Sequence, residues 1–140
     1  MTGKEYLCEV HEKEKEITAQ KEYIEALRNV LESISVKVDS ERVQSSSDPD
    51  KFGKVFAQID EEERKLEQMK QDFLMYKVNA ITAIKQVQTE NYRVLLHEKY
   101  INYKSFKEIA VQMKYSYDYI LELHRNALIE FEETIQLNPI

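Results

Sequence analysis

No glycine or proline interrupts the chain between Gly3 and Pro49, and apolar residues recur through this segment in steps of seven. The residues at these steps are Val10, Ile17, Ile24, Leu31 and Val38. Such spacing aligns side chains along one side of a helix, where they pack against a partner helix. Two Gly and two Pro in 140 residues are also too few for the frequent turns of a β-rich fold. The sequence therefore predicts an all-α fold that begins with one long helix.

A second apolar series with the same spacing follows Pro49. Its members are Phe52, Ile59, Leu66, Phe73, Ala80 and Val87. Between the two series, residues 40–50 (SERVQSSSDPD) lack apolar periodicity and are rich in serine, which indicates a connecting loop. The series mirror each other across this loop, so that Val10 faces Ala80 and Leu31 faces Ile59. For residues 1–88 we therefore predict an antiparallel helical hairpin, a coiled coil with its loop near 39–50.

From residue 89 onward, shorter helices replace the heptads. Ser105 and Glu108 have the spacing of a capping box, which predicts that a helix opens there. Lys114 and Tyr115 are predicted to form a tight turn, after which Ser116 caps a longer helix. A short helix, a turn of about three residues and a longer helix are typical of a helix-turn-helix. Residues 89–137 are therefore predicted to form a helix-turn-helix module.

Residues 92–127 resemble the DNA-binding region 4 of bacterial sigma factors. The matching segments are LLHEKYI, the S-x-x-E-I-A core, the turn that ends at Ser116, and ILELHRNAL. The chain is more similar still to small sigma-like phage regulators of Gram-positive bacteria, of the ArpU and RinA type. Those proteins carry a coiled-coil N-terminal half, a loop like RVQSS and a tyrosine-rich stretch like YINYKSFKEIA. The resemblance covers most of the chain, most closely from Tyr92, and implies a transcriptional regulator of late or lysogeny genes.

The resemblance also implies which residues meet double-stranded promoter or operator DNA. By position, Ser116 caps the recognition helix and Tyr117 is the first base-facing residue, while Arg125 falls at a phosphate-contacting position. A carboxylate such as Glu122 can accept a hydrogen bond from cytosine N4. Sigma factors usually carry arginines among the base-facing positions, and this chain does not. With the adjoining basic residues, the predicted nucleic-acid-binding set is Lys104, Lys107, Lys114, Ser116, Tyr117, Asp118, Tyr119, Leu121, Glu122 and Arg125.

Several other classes of protein are not predicted. Cys8 is the only cysteine, which excludes a disulfide framework and a cysteine-based zinc site. His11, His97 and His124 lack ligand spacing, and two glycines cannot build a phosphate-binding loop. We therefore expect no enzyme, no cofactor and no metal. No apolar run approaches the ~20 residues that span a bilayer, so we expect no membrane association and a location in the cytoplasm. The resemblance to phage regulators implies that this is the cytoplasm of a bacterial host.

Two alternatives to a DNA-binding regulator stay open at this point, because a net charge of −6 argues against indiscriminate nucleic-acid binding. The first is a phage protein-interaction factor that uses the same scaffold to bind a host protein such as RNA polymerase. The second is a DNA-packaging adaptor of the small-terminase kind. A homodimer whose hairpins form a four-helix bundle is also predicted, because apolar residues outside the heptads widen the helix faces. These residues are Leu7, Tyr23, Phe56, Met75 and Ile81.

Overall fold

The computed structural model describes the backbone of residues 1–40 and 49–140, and the side chains of residues 1–34 and 50–140. Every regular element within these ranges is an α-helix, which confirms the predicted all-α fold. The elements are α1 (Gly3–Ser40), α2 (Pro49–Lys85), α3 (Glu90–Tyr100), α4 (Phe106–Met113) and α5 (Tyr117–Leu137). Most of the predicted loop, residues 41–48, lies outside the described residues.

The N-terminus of α1 is fixed by a local capping box. The backbone N–H of Glu5 donates to Thr2 Oγ1 at 3.1 Å, and the backbone N–H of Thr2 donates to Glu5 Oε2 at 2.9 Å. This exchange satisfies donors that the first helical turn would otherwise leave without partners. The side chain of Glu5 also places a negative charge at the positive end of the helix.

The chain divides into two compact units. The smaller unit is Lys15–Gln71, which contains parts of α1 and α2. Here Ile17, Ile24 and Ile59, all members of the predicted heptads, are buried. Hydrogen bonds join the two helices: Gln20 Nε2 donates to Glu62 Oε2 at 2.7 Å, and Gln58 Nε2 donates to Tyr23 Oη at 3.0 Å. Individual facing pairs, such as Leu31 with Ile59, stay predictions.

The larger unit consists of Met1–Glu14 and Asp72–Ile140. One core joins the first turns of α1 and the last turns of α2 to the three short helices. Its fully buried members include Leu7, Val10, Ala80, Leu95, Leu96, Ile109, Ile120, Ala127 and Phe131. The contacts thus group segments on both sides of residue 88. The division into domains 1–88 and 89–137 stays a prediction about which segments fold independently.

Gly3 lies where α1 meets α5 in this larger unit. A Cβ atom added at Gly3 would lie 2.8 Å from Cδ1 of Phe131, whose side chain is fully buried. The backbone N–H of Gly3 donates to the carboxylate of Glu132. The missing side chain therefore lets the start of α1 approach α5 closely, and the carboxylate binds a backbone donor at the positive end of α1.

Candidate nucleic-acid interface

The connection between α4 and α5 consists of Lys114, Tyr115 and Ser116. Lys114 adopts a left-handed backbone conformation (φ 61°, ψ 41°), and its N–H donates to the carbonyl oxygens of Ala110 and Val111. The N–H of Tyr115 also donates to Ala110 at 3.0 Å. These bonds satisfy carbonyl groups at the end of α4, in the manner of a left-handed helix cap. The chain thus leaves α4 and starts α5 within three residues.

Serine side chains open both helices around this turn. Ser105 Oγ accepts from the N–H of Glu108 at 3.1 Å, and the Glu108 carboxylate accepts from the N–H of Ser105, which completes the predicted capping box. Ser116 Oγ accepts from the N–H of Tyr119 at 3.1 Å. The capping role predicted for Ser116 is therefore confirmed, and its hydroxyl is already engaged within the protein. Its contact with nucleic acid stays a prediction.

The first turns of α5 present a polar face to solvent. Ile120, Leu123 and Ala127 are buried on the other face and attach α5 to the core. Leu121, one of the predicted base-facing residues, is half-buried beside this polar face. The predicted contact residues that are exposed on α5 are Tyr117, Asp118, Tyr119, Glu122 and Arg125. The spacing along α5 thus brings residues 118, 122 and 125 onto one side of the helix.

The four predicted basic residues differ in their surroundings. Lys107 and Lys114 are exposed, as is Arg125. Lys104 is instead half-buried and has partners within the protein: its Nζ lies 2.5 Å from Glu98 Oε2 and donates to Gln112 Oε1 at 2.7 Å. The hydrogen bond and the charge of Lys104 lower the pKa of the Glu98 carboxyl. Lys104 therefore already has an anionic partner, whereas the other three cations face solvent.

Sequence reasoning missed the contribution of Tyr115 to this surface. Its ring packs against that of Tyr119, with centroids 4.8 Å apart and a tilt of 58°. Asn91 Nδ2 donates to the Tyr115 hydroxyl at 3.3 Å, which ties the turn to the start of α3. Tyr117 is exposed nearby in the chain, and Val111 is 80% exposed on α4. The turn and the two helix ends that flank it thus expose aromatic and apolar groups as well as charges.

His124 lies on the buried side of α5 and connects this helix to its neighbours. Its Nε2 lies 2.6 Å from the Tyr100 hydroxyl in α3, and its ring meets the ring of Phe106 in α4 edge-on, at 4.8 Å between centroids. Burial, with smaller contributions from Lys4 and Lys99, lowers the pKa of His124 to about 4. The imidazole is therefore neutral at pH 7 and links the three helices that carry the surface. Sequence reasoning missed this role, because nothing local to His124 identifies its partners.

The charge balance of this region is close to neutral. Residues 91–133 contain six Lys or Arg and seven Asp or Glu, a net charge of −1. Among the described residues, no group of three or more His, Cys, Asp or Glu side chains has the arrangement of a metal site. No described helix combines the length and the apolar content needed to cross a membrane.

Comparisons of the chain with protein-family models, with curated proteins and with solved structures find no match. The geometry of the α4–α5 surface is therefore the basis for assigning a function.

Proposed function

We propose that this protein is a DNA-binding transcriptional regulator of phage genes, and that α5 is its recognition helix. The observation that carries the proposal is the exposed polar face at the start of α5, directly after a three-residue turn from α4. The major groove of DNA admits one α-helix, whose N-terminal residues then meet the base edges. In this arrangement, Tyr117, Asp118 and Glu122 meet bases.

The three solvent-facing cations supply the phosphate contacts in this proposal. Lys107 and Lys114 lie on the α4 side of the surface, and Arg125 lies two turns into α5. Three phosphate contacts correspond to a slope of about −3 for the logarithm of affinity against the logarithm of salt concentration. This is a small electrostatic contribution for a DNA-binding protein, and so base contacts carry much of the affinity. Weak binding to random DNA follows from the same charge balance.

Selection of bound fragments from phage genomic DNA at about 0.1 M salt tests the proposal, because phosphate contacts still operate at that concentration. We expect a small number of enriched sites. Arg125→Ala should weaken binding to every fragment, whereas Glu122→Gln should change which fragments are enriched. Lys21→Ala removes an exposed cation from α1 and serves as the matched control, with no effect expected. A folded protein that enriches no site would overturn the proposal.

The second candidate is a protein-interaction factor that uses the same surface to bind a host protein such as RNA polymerase. Tyrosine is enriched at protein interfaces, and Tyr115, Tyr117 and Tyr119 are exposed together with Val111. The net charge of −1 for residues 91–133 favours this candidate over a strongly DNA-attracted module. Direct binding of the purified protein to RNA polymerase without DNA, lost on Tyr117→Ala, would support it.

A further inference from the structure

The last turns of α2 carry an exposed apolar stripe. Leu74, Met75 and Val78 are 60%, 63% and 54% exposed, although all three are large and hydrophobic. They lie on the side of α2 opposite Ala80, Ala83 and Ile84, which are buried. The stripe continues to Ile81, which is half-buried and lines a groove between α2 and α3 with Val94. Contiguous exposed apolar side chains of this kind mark an interaction surface.

The stripe follows a heptad pattern of its own. Leu74 and Ile81 are seven residues apart, as are Gln71, Val78 and Lys85. Positions alternating by three and four residues form the narrow seam by which a helix packs against a single partner helix. This seam differs from the heptad that contains Phe73 and Ala80, and so α2 carries a second face suited to packing against a helix.

Opposite charges stand at the two ends of the seam. Glu67 precedes Gln71 by one turn on the same side of α2, and Lys85 is the last residue of the helix. Both side chains are exposed. Within the described residues, neither of them takes part in an ion pair. The seam is therefore acidic at its N-terminal end, apolar in the middle and basic at its C-terminal end.

We propose that a second copy of this chain covers the seam, with the two α2 helices antiparallel. In that register Leu74 packs against Val78 of the second copy, and Gln71 against its Ile81. Glu67 then meets Lys85 of the second copy at both ends of the interface. Each layer pairs one position of the first copy with a different position of the second copy, and the same pairing recurs with the two copies exchanged. A two-fold contact requires this reciprocity. A parallel pair would set like charges against each other, which is unfavourable.

This dimer is independent of the proposed DNA contacts, because the seam lies on α2 and uses none of the residues of the α4–α5 surface. The seam also gives the predicted dimer a specific contact. Of the apolar residues noted in the sequence, Ile81 belongs to the seam and Met75 is exposed next to Leu74, whereas Leu7 is buried in the core of the larger unit. DNA binding and dimerisation can therefore fail separately.

Light scattering on the full chain, at a protein concentration of tens of micromolar, measures whether the chain forms a dimer. The wild type should have twice the monomer mass, and Val78→Glu should have the monomer mass with unchanged helicity. Ile129→Glu is the matched control, because Ile129 is 60% exposed on α5 outside the seam. It should remain a dimer. A wild-type protein that is monomeric under these conditions overturns the proposal.

Charge reversal tests the antiparallel register without adding a charge to the apolar part of the seam. Glu67→Lys and Lys85→Glu should each weaken dimerisation about tenfold or more, because each sets like charges against each other. The double variant restores opposite charges and should dimerise like the wild type. A double variant that dimerises as weakly as the single variants contradicts the register. This test holds even if Val78→Glu does not fold.

Cysteine crosslinking gives a second measure of the register. In a Cys8→Ser background, a mixture of Leu74→Cys and Val78→Cys chains should form an intermolecular disulfide faster than either variant alone. The proposed layer sets position 74 of one copy against position 78 of the other, and a disulfide forms only where two Cα atoms come close together. Equal or faster crosslinking of either single variant alone would contradict the proposed pairing.

Discussion

The hydroxyl of Tyr100 lies 2.6 Å from Nε2 of His124, within the core that supports the exposed face of α5. The pair joins α3 to α5, and Phe106 adds an edge contact from α4. A buried polar pair satisfies both of its members only while the helices keep their positions. The orientation of α5 relative to α3 and α4 therefore depends on this hydrogen bond as well as on apolar packing.

The stability of the fold should depend on the protonation of His124. Its pKa is about 4 in the folded protein, below the usual value of 6.5. In the unfolded chain His124 is protonated as the pH falls through 6.5, whereas in the folded chain it stays neutral down to about pH 4. Protonation of His124 should therefore leave the free energy of unfolding unchanged above pH 6.5. Between pH 6.5 and pH 4 it should lower the free energy of unfolding, by up to about 3 kcal/mol.

Chemical denaturation at several pH values checks this expectation. The double variant His124→Phe, Tyr100→Phe removes both polar partners, and so leaves neither of them buried without a hydrogen bond. In the double variant, the free energy of unfolding should lose the part of its pH dependence that comes from His124 and keep the part that comes from carboxylates. Equal slopes of stability against pH for the wild type and the double variant would contradict the assignment.

Substitution of the two glycines by alanine should have opposite effects on stability. At Gly3 the added methyl group would collide with Phe131, and we expect a loss of about 1–3 kcal/mol. At Gly53, within α2, no atom outside the adjacent residues and the nearby backbone of the helix lies within 4 Å of the added group. Gly53→Ala should therefore stabilise the helix by up to about 1 kcal/mol. Thermal unfolding of both variants measures this, and a stabilising Gly3→Ala would contradict the close approach of α1 to α5.

The left-handed conformation of Lys114 makes a further prediction. Lys114→Gly should stabilise the protein by about 1 kcal/mol, because glycine adopts this conformation without a steric penalty. Lys107→Gly, in the first turn of α4, should instead destabilise the protein by up to about 1 kcal/mol. Both variants remove one solvent-facing cation, and so both should weaken DNA binding to a similar extent. If Lys114→Gly binds DNA as well as the wild type and only the less stable Lys107→Gly binds more weakly, Lys114 has no phosphate-contacting role.

A fragment of residues 89–140 tests where the folding unit ends. The core of α3, α4 and α5 is completed by Leu7 and Val10 of α1 and by Ala80 and Ile84 of α2. The isolated fragment would expose the apolar surface that these residues cover. We expect it to be partly helical by circular dichroism but to lack a cooperative thermal transition. Cooperative unfolding near the midpoint of the full chain would instead support an independent domain from residue 89.

Local signals in the sequence were sufficient to predict an all-α chain and the helix caps at Ser105 and Ser116. The capping box that begins at Ser105 depends on residues three positions apart, and the structure contains it. From residue 89 onward, where shorter helices were predicted, the structure contains α3, α4 and α5. Heptad spacing also identified buried positions such as Ile24 and Ile59. Such features depend on neighbours in the chain, which a sequence displays directly.

Features that depend on distant residues were not predictable in this way. Gly3 and Glu132 are 129 positions apart, and no local pattern connects them. The pairing of Lys104 with Glu98 is closer in sequence, but it depends on how the chain turns after α3, where Tyr103 has a positive φ. Lys104 was therefore grouped with the solvent-facing cations, although the fold gives it an anionic partner.

The exposed face of α5, which includes Arg125, and the cations Lys107 and Lys114 form the proposed DNA-binding surface. Fluorescence anisotropy with an enriched fragment, at salt concentrations from about 0.05 to 0.3 M, tests this proposal most directly. For each bound protomer we predict a slope of about −3 in the logarithm of affinity against the logarithm of salt concentration, and a slope shallower by about 1 for Arg125→Ala. An affinity that is independent of salt, or a slope that Arg125→Ala leaves unchanged, would contradict the proposal.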